Sequence, residues 1–159
     1  MATDYQALIE RLVSGGVDFL IVGGVAVVAH GHPRFTKDLD ICYARDRTNV
    51  DRLAAALAPL HPYLRGAPRG LPFTLDAATL RSGLNFTLTT DCGDLDLLGE
   101  LTGVGGYAEL SPNAVEMEAF GHRLRFIHLD DLERAKRAAG RPQDLFDLEA
   151  IRAIRERKK

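Results

Sequence analysis

Residues 22–41 read VGGVAVVAHGHPRFTKDLDI and combine a glycine turn with an acidic segment. A double glycine, Gly23 and Gly24, follows an apolar run, and the stretch ends in two aspartates separated by one leucine, Asp38 and Asp40. The alternation of aspartate with leucine and isoleucine predicts a strand, because side chains two residues apart in a strand point the same way. Buried strands rarely carry carboxylates without a partner. The two aspartates are therefore the first candidates for a functional site.

Asp38 and Asp40 project side by side from this strand, so their charges repel unless a cation lies between them. Mg²⁺, a hard divalent cation with oxygen ligands, fits such a pair. The hairpin predicted over 86–98 carries two more acids. Asp96 is bracketed by leucines, whereas its rival Asp94 lies nearer the turn, so Asp96 is the preferred third ligand. Three converging carboxylates can hold two metal ions about 3.5–4 Å apart for phosphoryl or nucleotidyl transfer; solvated acids on an edge strand are the alternative.

The double glycine supplies a candidate phosphate site. Gly23 and Gly24 allow the backbone to pass close to a ligand, and a short helix is predicted to begin there, whose N-terminus attracts phosphate oxygens. Arg34, Thr36 and Lys37 precede the acidic strand and could bind phosphate as well. The two cations among them could equally balance the local acidity. The stretch therefore predicts a phosphate cradle followed by a metal-binding strand.

An H-x-H pair, His30 and His32, is a second candidate for metal binding. Histidines that follow a helix more often cap it or pack against it, and the carboxylates already form an oxygen site, so the acids are preferred. The two cysteines, Cys42 and Cys92, lack the spacing of a zinc site.

The remaining pattern predicts an α/β (α+β) protein with a small mixed, largely antiparallel sheet that is flanked by helices. Helices are predicted over 3–12, 24–29, 47–60, 130–140 and 142–159, and strands over 18–23, 38–44, 84–90, 94–99, 114–120 and 123–129. The Pro/Gly-rich stretch 59–72 is predicted to be a loop at the rim of the site. The chain is predicted to be one domain, 1–159, with two C-terminal helices in its helical part, 129–159.

The last of these helices carries apolar residues at helical spacing, which predicts a buried stripe along one side. The stripe consists of Leu145, Leu148, Ile151 and Ile154. Asp144 and Asp147 are predicted on the polar side of the same helix, where they could pair with neighbouring cations.

Composition and charge narrow the class of protein. The chain has 159 residues, of which 46% are apolar and 26% charged, as in ordinary globular proteins. The net charge of −2 excludes a strongly basic nucleic-acid binder by bulk charge. The charge is uneven, since the balance is +4 from residue 123 onward and −6 before it. With no signal peptide and no membrane-spanning run in the sequence, a soluble cytoplasmic protein without a membrane partner is predicted.

The acidic and glycine motifs together resemble a known superfamily. The double glycine, the DLD at 38–40 and the isolated LDL around Asp96 resemble the signature of polymerase-beta-type nucleotidyltransferases. The segment HGHPRFTKDLDI resembles the minimal nucleotidyltransferases of the AbiEii-like toxin group. The segment ERAKRAAGRPQDLFDL at 133–148 resembles the helical pattern of that group. The resemblance spans roughly residues 18–148 and implies an enzyme, a nucleotidyltransferase.

The resemblance implies roles for single residues. Asp38 and Asp40 would hold two Mg²⁺ ions, for which Mn²⁺ could substitute, and Asp96 would hold the catalytic ion and help to deprotonate the acceptor hydroxyl. Gly23 and Gly24 would contact the triphosphate of the bound nucleotide. Carried over in this way, the three aspartates are both the metal ligands and the catalytic residues.

Two cations near the C-terminus complete the implied nucleotide site. Lys136 and Arg141 would reach the nucleotide phosphates, although helix-end charge is an equal alternative for both. The chain departs from the family pattern at two positions. Gly24 stands where many members have serine, which removes a side-chain phosphate contact, and Gln143 stands where the toxin group is expected to have lysine.

The predicted reaction is Mg²⁺-dependent transfer of a nucleoside monophosphate from an NTP to an acceptor hydroxyl on RNA or tRNA, protein or a small molecule. The resemblance makes the toxin of a toxin–antitoxin pair a hypothesis, with an antitoxin protein as partner. Two alternatives remain open. A non-catalytic nucleotide-binding or antitoxin-like interaction domain of the same fold would not need the intact set of three acids. A metal-dependent phosphohydrolase would hydrolyse NTP without an acceptor.

Overall fold

The computed structural model describes residues 2–159, which form one large sheet with helices packed on it. In chain order the elements are α1 Tyr5–Ser14, β1 Phe19–Val22, α2 Gly23–Ala29, β2 Asp38–Tyr43, α3 Arg47–Leu57, β3 Tyr63–Leu64, α4 Ala77–Ser82, β4 Asn85–Thr90, β5 Gly93–Leu98, β6 Glu100–Leu101, β7 Gly105–Gly106, α5 Tyr107–Leu110, β8 Val115–Ala119, β9 His122–Phe126, α6 Leu129–Ala139 and α7 Pro142–Arg157. The fold therefore ends in the two predicted C-terminal helices, α6 and α7.

The large sheet has the strand order β3-β4-β5-β2-β1-β9-β8. Four of its six pairings are antiparallel, and the pairings of β2 with β5 and of β1 with β9 are parallel. The predicted mixed, largely antiparallel sheet with flanking helices is thereby confirmed. Strands β6 and β7 form a separate two-stranded ribbon.

The pairing of β2 with β5 decides where the acids lie. In this parallel register Asp38 lies opposite Asp94, and Asp40 lies opposite Asp96. Side chains directly opposite one another in a sheet project from the same face. The acids of the two strands therefore share one face, and the leucines and isoleucine between them share the other, where they are completely buried.

The apolar face of the sheet is covered by α1 and α3, and together they form the core. Among its fully buried side chains are Leu8, Leu12, Ile21, Leu39 and Leu53. Burial of each such side chain contributes roughly 1.5–3 kcal/mol. The core thus fixes the pleat of β2, and the pleat sends its aspartates to the opposite face.

Two sequence predictions are wrong. The 59–72 stretch is not entirely loop, because residues 63–64 form β3 and pair with β4. In the N-terminal part of α7, the predicted apolar stripe is not the face that is buried. Leu145 is 56% exposed, whereas Asp144 and Asp147 are completely buried. No helix among residues 2–159 is long and apolar enough to cross a membrane.

Candidate active site

The turn from β1 into α2 lies against the acidic strand. Gly23 has φ +65°, and a Cβ atom on it would lie 1.9 Å from Oδ2 of Asp40. Both the backbone conformation and the space thus require glycine at this position. A Cβ atom on Gly24 would lie 2.8 Å from both Nη2 of Arg34 and Cγ2 of Thr36. The serine expected at this position from the resemblance would meet the guanidinium of Arg34, which occupies that space.

Asp38, Asp40 and Asp96 converge on the face of the sheet next to this turn. Each offers a carboxylate oxygen that lies within 4.8 Å of those of the other two, and no other group of three or more potential ligands among residues 2–159 comes together in this way. His30 does not join them, because its Nε2 lies 2.8 Å from the backbone oxygen of Ile127. The H-x-H alternative therefore receives no support from the geometry.

The electrostatics of the three acids fit a divalent cation. Burial, followed by the charges of Asp38 and Asp96, raises the pKa of Asp40 well above 3.8. Burial and the charge of Asp96 also raise the pKa of Asp38. Oδ1 of Asp40 is buried and has no hydrogen-bond partner. An orphaned carboxylate oxygen within a cluster of like charges is the environment that an oxygen-preferring cation such as Mg²⁺ stabilises.

One cation in the site was missed by sequence reasoning. Arg65 follows β3, and its Nη2 donates to Oδ1 of Asp96 at 2.7 Å. Its Nη1 lies 3.5 Å from Oδ2 of Asp38, and its Nε lies 3.4 Å from Oδ2 of Asp94. A single guanidinium therefore contacts three acids on two strands. Only the pairing of β3 with β4, which the Pro/Gly-rich composition concealed, brings it there.

The predicted phosphate-binding residues before β2 are placed by contacts with distant elements. Arg34 contacts Asp147 of α7, with 2.8 Å between Nε and Oδ1 and 3.1 Å between Nη2 and Oδ2. Thr36 Oγ1 lies 2.6 Å from the hydroxyl of Tyr5, and the backbone oxygen of Lys37 accepts from Thr3 Oγ1 at 2.5 Å. These contacts hold the whole segment over the end of β2.

Lys136 and Arg141 are held by the two buried acids of α7. Nζ of Lys136 lies 3.2 Å from Oδ1 of Asp144 and 2.8 Å from Oδ2 of Asp147. Arg141 Nε donates to Oδ2 of Asp144 at 2.7 Å. Although burial opposes it, hydrogen bonds from Arg141 and Lys136 lower the pKa of Asp144. We call this group of two acids with Lys136, Arg141 and Arg34 the α7 ion-pair cluster.

Two cavities meet at the acids. One of about 320 Å³ is lined by every predicted site residue except Gly23, and therefore contains both the three acids and the five predicted basic or polar residues around them. The other, of about 410 Å³, contains Gly23 and shares Asp40, Lys136 and Arg141 with the first. Leu98, on β5, lines both cavities, and the remaining walls of the second are largely apolar. We call them the polar cavity and the apolar cavity.

Comparisons with known proteins agree on the fold. The lincosamide antibiotic adenylyltransferase LnuA, in a lincomycin-bound crystal structure, has a TM-score of 0.62 at 15% identity, covering 96% of this chain and 98% of that one. The antibiotic-resistance factor ANT(2'')-Ia has a TM-score of 0.60 at 16% identity, covering 100% and 86%. A nucleotidyltransferase-like protein from Paracoccidioides brasiliensis has a TM-score of 0.57 at 14% identity, covering 94% and 77%. The chain therefore has the same fold as these adenylyltransferase and nucleotidyltransferase-like structures.

Sequence comparison gives less. No family model matches the chain. A curated relative, 6-phospho-5-dehydro-2-deoxy-D-gluconate aldolase of Halalkalibacterium halodurans, is 27% identical over 138 residues, which is 86% of this chain. The chain spans 41% of the length of that relative.

Proposed function

We propose that this chain is a Mg²⁺-dependent nucleotidyltransferase that moves a nucleoside monophosphate from an NTP to an acceptor hydroxyl. The observation that carries the proposal is the polar cavity. It joins three convergent carboxylates to a glycine turn and to the cations Arg34, Lys37 and Arg141 in one space of about 320 Å³. Metal-binding oxygens and phosphate-binding cations are the two halves of a site for a nucleoside triphosphate.

In this proposal Asp38 and Asp40 hold two metal ions, and Asp96 is a further ligand of one of them. The bound ions would neutralise the charge that develops on the transferred phosphoryl group and lower the pKa of the acceptor hydroxyl. The orphaned Oδ1 of Asp40 and the raised pKa values of Asp40 and Asp38 support this assignment, because both indicate that burial and like charges outweigh the positive charge nearby. Mn²⁺, with similar ligand preferences, would substitute for Mg²⁺.

The other residues of the polar cavity would bind and orient the nucleotide. Arg34, Lys37 and Arg141 would contact the triphosphate, and Gly24 lines the same cavity beside Arg34. Lys136 contributes charge close to Asp40 and is itself held by two carboxylates. Because Arg34 and Arg141 are fixed by Asp147 and Asp144, they would be oriented before the nucleotide arrives, which lowers the entropic cost of binding it.

The acceptor is the finer part of the proposal. The structural neighbours LnuA and ANT(2'')-Ia are an antibiotic adenylyltransferase and an antibiotic-resistance factor, which favours a small-molecule acceptor. An RNA or tRNA end and a protein hydroxyl are the other acceptors to test. The resemblance to AbiEii-like toxins extends the proposal to a cytoplasmic toxin that a cognate antitoxin protein neutralises.

The activity of the aldolase relative receives no support from the site. An aldolase that forms a Schiff base needs a lysine with a free amine to attack the carbonyl group. Of the two lysines that line the polar cavity, Lys136 has its Nζ in ion pairs with two buried aspartates, and Lys37 is exposed rather than enclosed in an apolar pocket that would favour its neutral amine. Nucleotidyl transfer therefore explains more of the geometry.

The test is transfer of label from each of the four α-³²P-NTPs, with Mg²⁺ or Mn²⁺, to total RNA, to protein or to a panel of hydroxyl-bearing small molecules. Asp38→Asn and Asp40→Asn should abolish transfer. Asp51→Asn, an exposed acid on α3, is the matched control and should keep it. NTP binding without transfer to any acceptor would favour the non-catalytic binding module, and NTP hydrolysis without an acceptor would favour the phosphohydrolase.

A further inference from the structure

Arg65 is hydrogen-bonded to β4 through both its backbone and its guanidinium. Its backbone N–H donates to the oxygen of Thr87 at 3.0 Å, and its Nη2 donates to the oxygen of Leu88 at 2.6 Å. The guanidinium thereby crosses from β4 to the acids of β5 and β2. Its Nε is buried and has no hydrogen-bond partner, although it lies 3.4 Å from Oδ2 of Asp94.

Two of the acids that Arg65 contacts are proposed metal ligands. Asp96 and Asp38 offer oxygens both to this guanidinium and to the group of three ligands, whereas Asp94 contacts the guanidinium and is not in that group. A carboxylate oxygen that accepts from a guanidinium loses part of its capacity to bind a cation, and two cations so close together repel each other. Arg65 and a divalent cation therefore compete for the same two carboxylates.

The chain around Arg65 allows the guanidinium to withdraw. Residues 66–76 contain no helix or strand, and Gly66, the next residue, has φ +79° with open space around it. The side chain of Arg65 is 27% exposed, so the guanidinium can move without opening the core. Asp94, with its side chain 35% exposed, is the acid that can keep the guanidinium after it leaves the other two.

We propose that Arg65 is a built-in counter-ion of the carboxylate cluster, which a divalent cation has to displace from Asp38 and Asp96 onto Asp94. This inference rests on the proposed function, since it concerns the same metal site. Without metal, the guanidinium keeps three like charges together on adjacent strands. With metal, it is a competitor whose displacement weakens the apparent metal affinity. Arg65 is thus a positioning residue for the metal ligands.

Binding of Mn²⁺ to the whole chain without nucleotide tests the inference, with free Mn²⁺ measured by electron paramagnetic resonance. Arg65→Ala and Arg65→Gln should bind Mn²⁺ about tenfold more tightly than the parent chain, as expected for removing a partly exposed competing charge. The same variants should melt at a lower temperature without metal and should gain more in melting temperature on addition of Mn²⁺. A role restricted to holding the fold would lower both melting temperature and metal affinity.

Arg69→Ala is the matched control, because Arg69 is an exposed arginine of the same segment. Its Mn²⁺ affinity should stay within about twofold of that of the parent chain. The comparison separates loss of the contact with the acids from loss of one positive charge in the segment. Unchanged or weaker Mn²⁺ binding by both Arg65 variants would overturn the inference while leaving the proposed function intact. Absence of Mn²⁺ binding from the parent chain and from both variants would refute the metal site itself, and the inference with it.

Discussion

The molecule contains two clusters of aspartates that meet at the same cavity and differ in how their charges are compensated. Asp144 and Asp147 in the α7 ion-pair cluster are completely buried, yet each carboxylate contacts at least two cationic side chains. The acids of β2 and β5 are less buried; Asp38, Asp94 and Asp96 share the guanidinium of Arg65, which does not contact Asp40. The pKa of Asp144 is lowered by its hydrogen bonds, whereas that of Asp40 is raised by burial and like charges.

The difference separates structural acids from candidate catalytic ones. Buried charges persist when they are paired, and the α7 ion-pair cluster obeys that rule. The acids of β2 and β5 depart from this rule, because they lie close together and too few cationic side chains contact them. Carboxyl groups whose pKa values are raised by burial and like charges are common at functional sites. Compensation of charge, rather than burial alone, therefore distinguishes the two clusters.

Removal of one acid from the under-compensated cluster should have the largest effect, and that effect is on activity. If the proposed function is correct, Asp40→Asn lowers the rate of nucleotidyl transfer by about 10³-fold or more, since it removes a ligand proposed to hold both metals. Single-turnover transfer of labelled nucleotide measures it. Asp96→Asn and Asp94→Asn separate the rival acids, because only the first should lose most of the activity; an equal loss in these two variants would contradict the choice of Asp96.

Removal of one acid from the α7 ion-pair cluster should have its largest effect on stability. Asp147→Ala removes a buried carboxylate that contacts both Lys136 and Arg34. The free energy of unfolding should therefore fall by about 3–5 kcal/mol. Urea denaturation measures the change. Asp130→Ala, which removes an exposed partner of Arg155, is the control and should cost less than about 1 kcal/mol. Equal losses would show that burial does not distinguish the two ion pairs.

The pH dependence of stability should have opposite signs for the two clusters. Asp40 and Asp38 have pKa values above 3.8 in the folded chain, so without metal they destabilise the fold progressively as pH rises through 3.8 toward the raised values. Asp144 has a lowered pKa, so its contribution to stability is complete above 3.8 and is lost as pH falls through the lowered value.

Urea midpoints of metal-free protein between about pH 3 and 7 measure this contrast. Asp40→Asn should be more stable than the parent chain at pH 7, and the advantage should shrink toward the acid end. An Asp40→Asn variant that is less stable at pH 7 would show that the carboxylate is already compensated in the metal-free protein.

The smallest effect on stability is expected for a methyl group added at Gly24, between the two clusters. Gly24→Ala places a Cβ atom 2.8 Å from the Arg34 guanidinium, which Asp147 holds in place, and should cost about 1–3 kcal/mol in free energy of unfolding. Thermal unfolding measures it. Arg34→Ala should relieve part of that cost in the double variant, giving non-additive changes. Strict additivity would mean that the two residues do not contact each other.

The acidic strands were predictable because their signal is local. Alternation of leucine and aspartate around Asp40 and Asp96 defines both the strand and its faces, and a hairpin next to β2 brings the faces together. The sheet order beyond that pair is set by long-range pairing that no local pattern carries.

The two failures have physical causes. Strand β3 has only two residues, and the flanking glycines and prolines outweigh so short a signal, so Arg65 remained hidden. In α7, hydrophobic periodicity identifies buried positions only when apolar residues fill them. Asp144 and Asp147 lie at helical spacing from the buried Ile151, and the face was misassigned because its buried positions hold aspartates that are paired with cations rather than apolar residues.

The contact between Arg34 and Asp147 joins residues 113 positions apart in the chain. The strands that carry the acids are complete by Leu98, but the partners of the phosphate-side cations belong to the last helix. During synthesis the nascent chain can therefore assemble the acid face long before the polar cavity is closed. Competence to bind a nucleotide would arise late, when α7 has left the ribosome and packed against the rest of the chain.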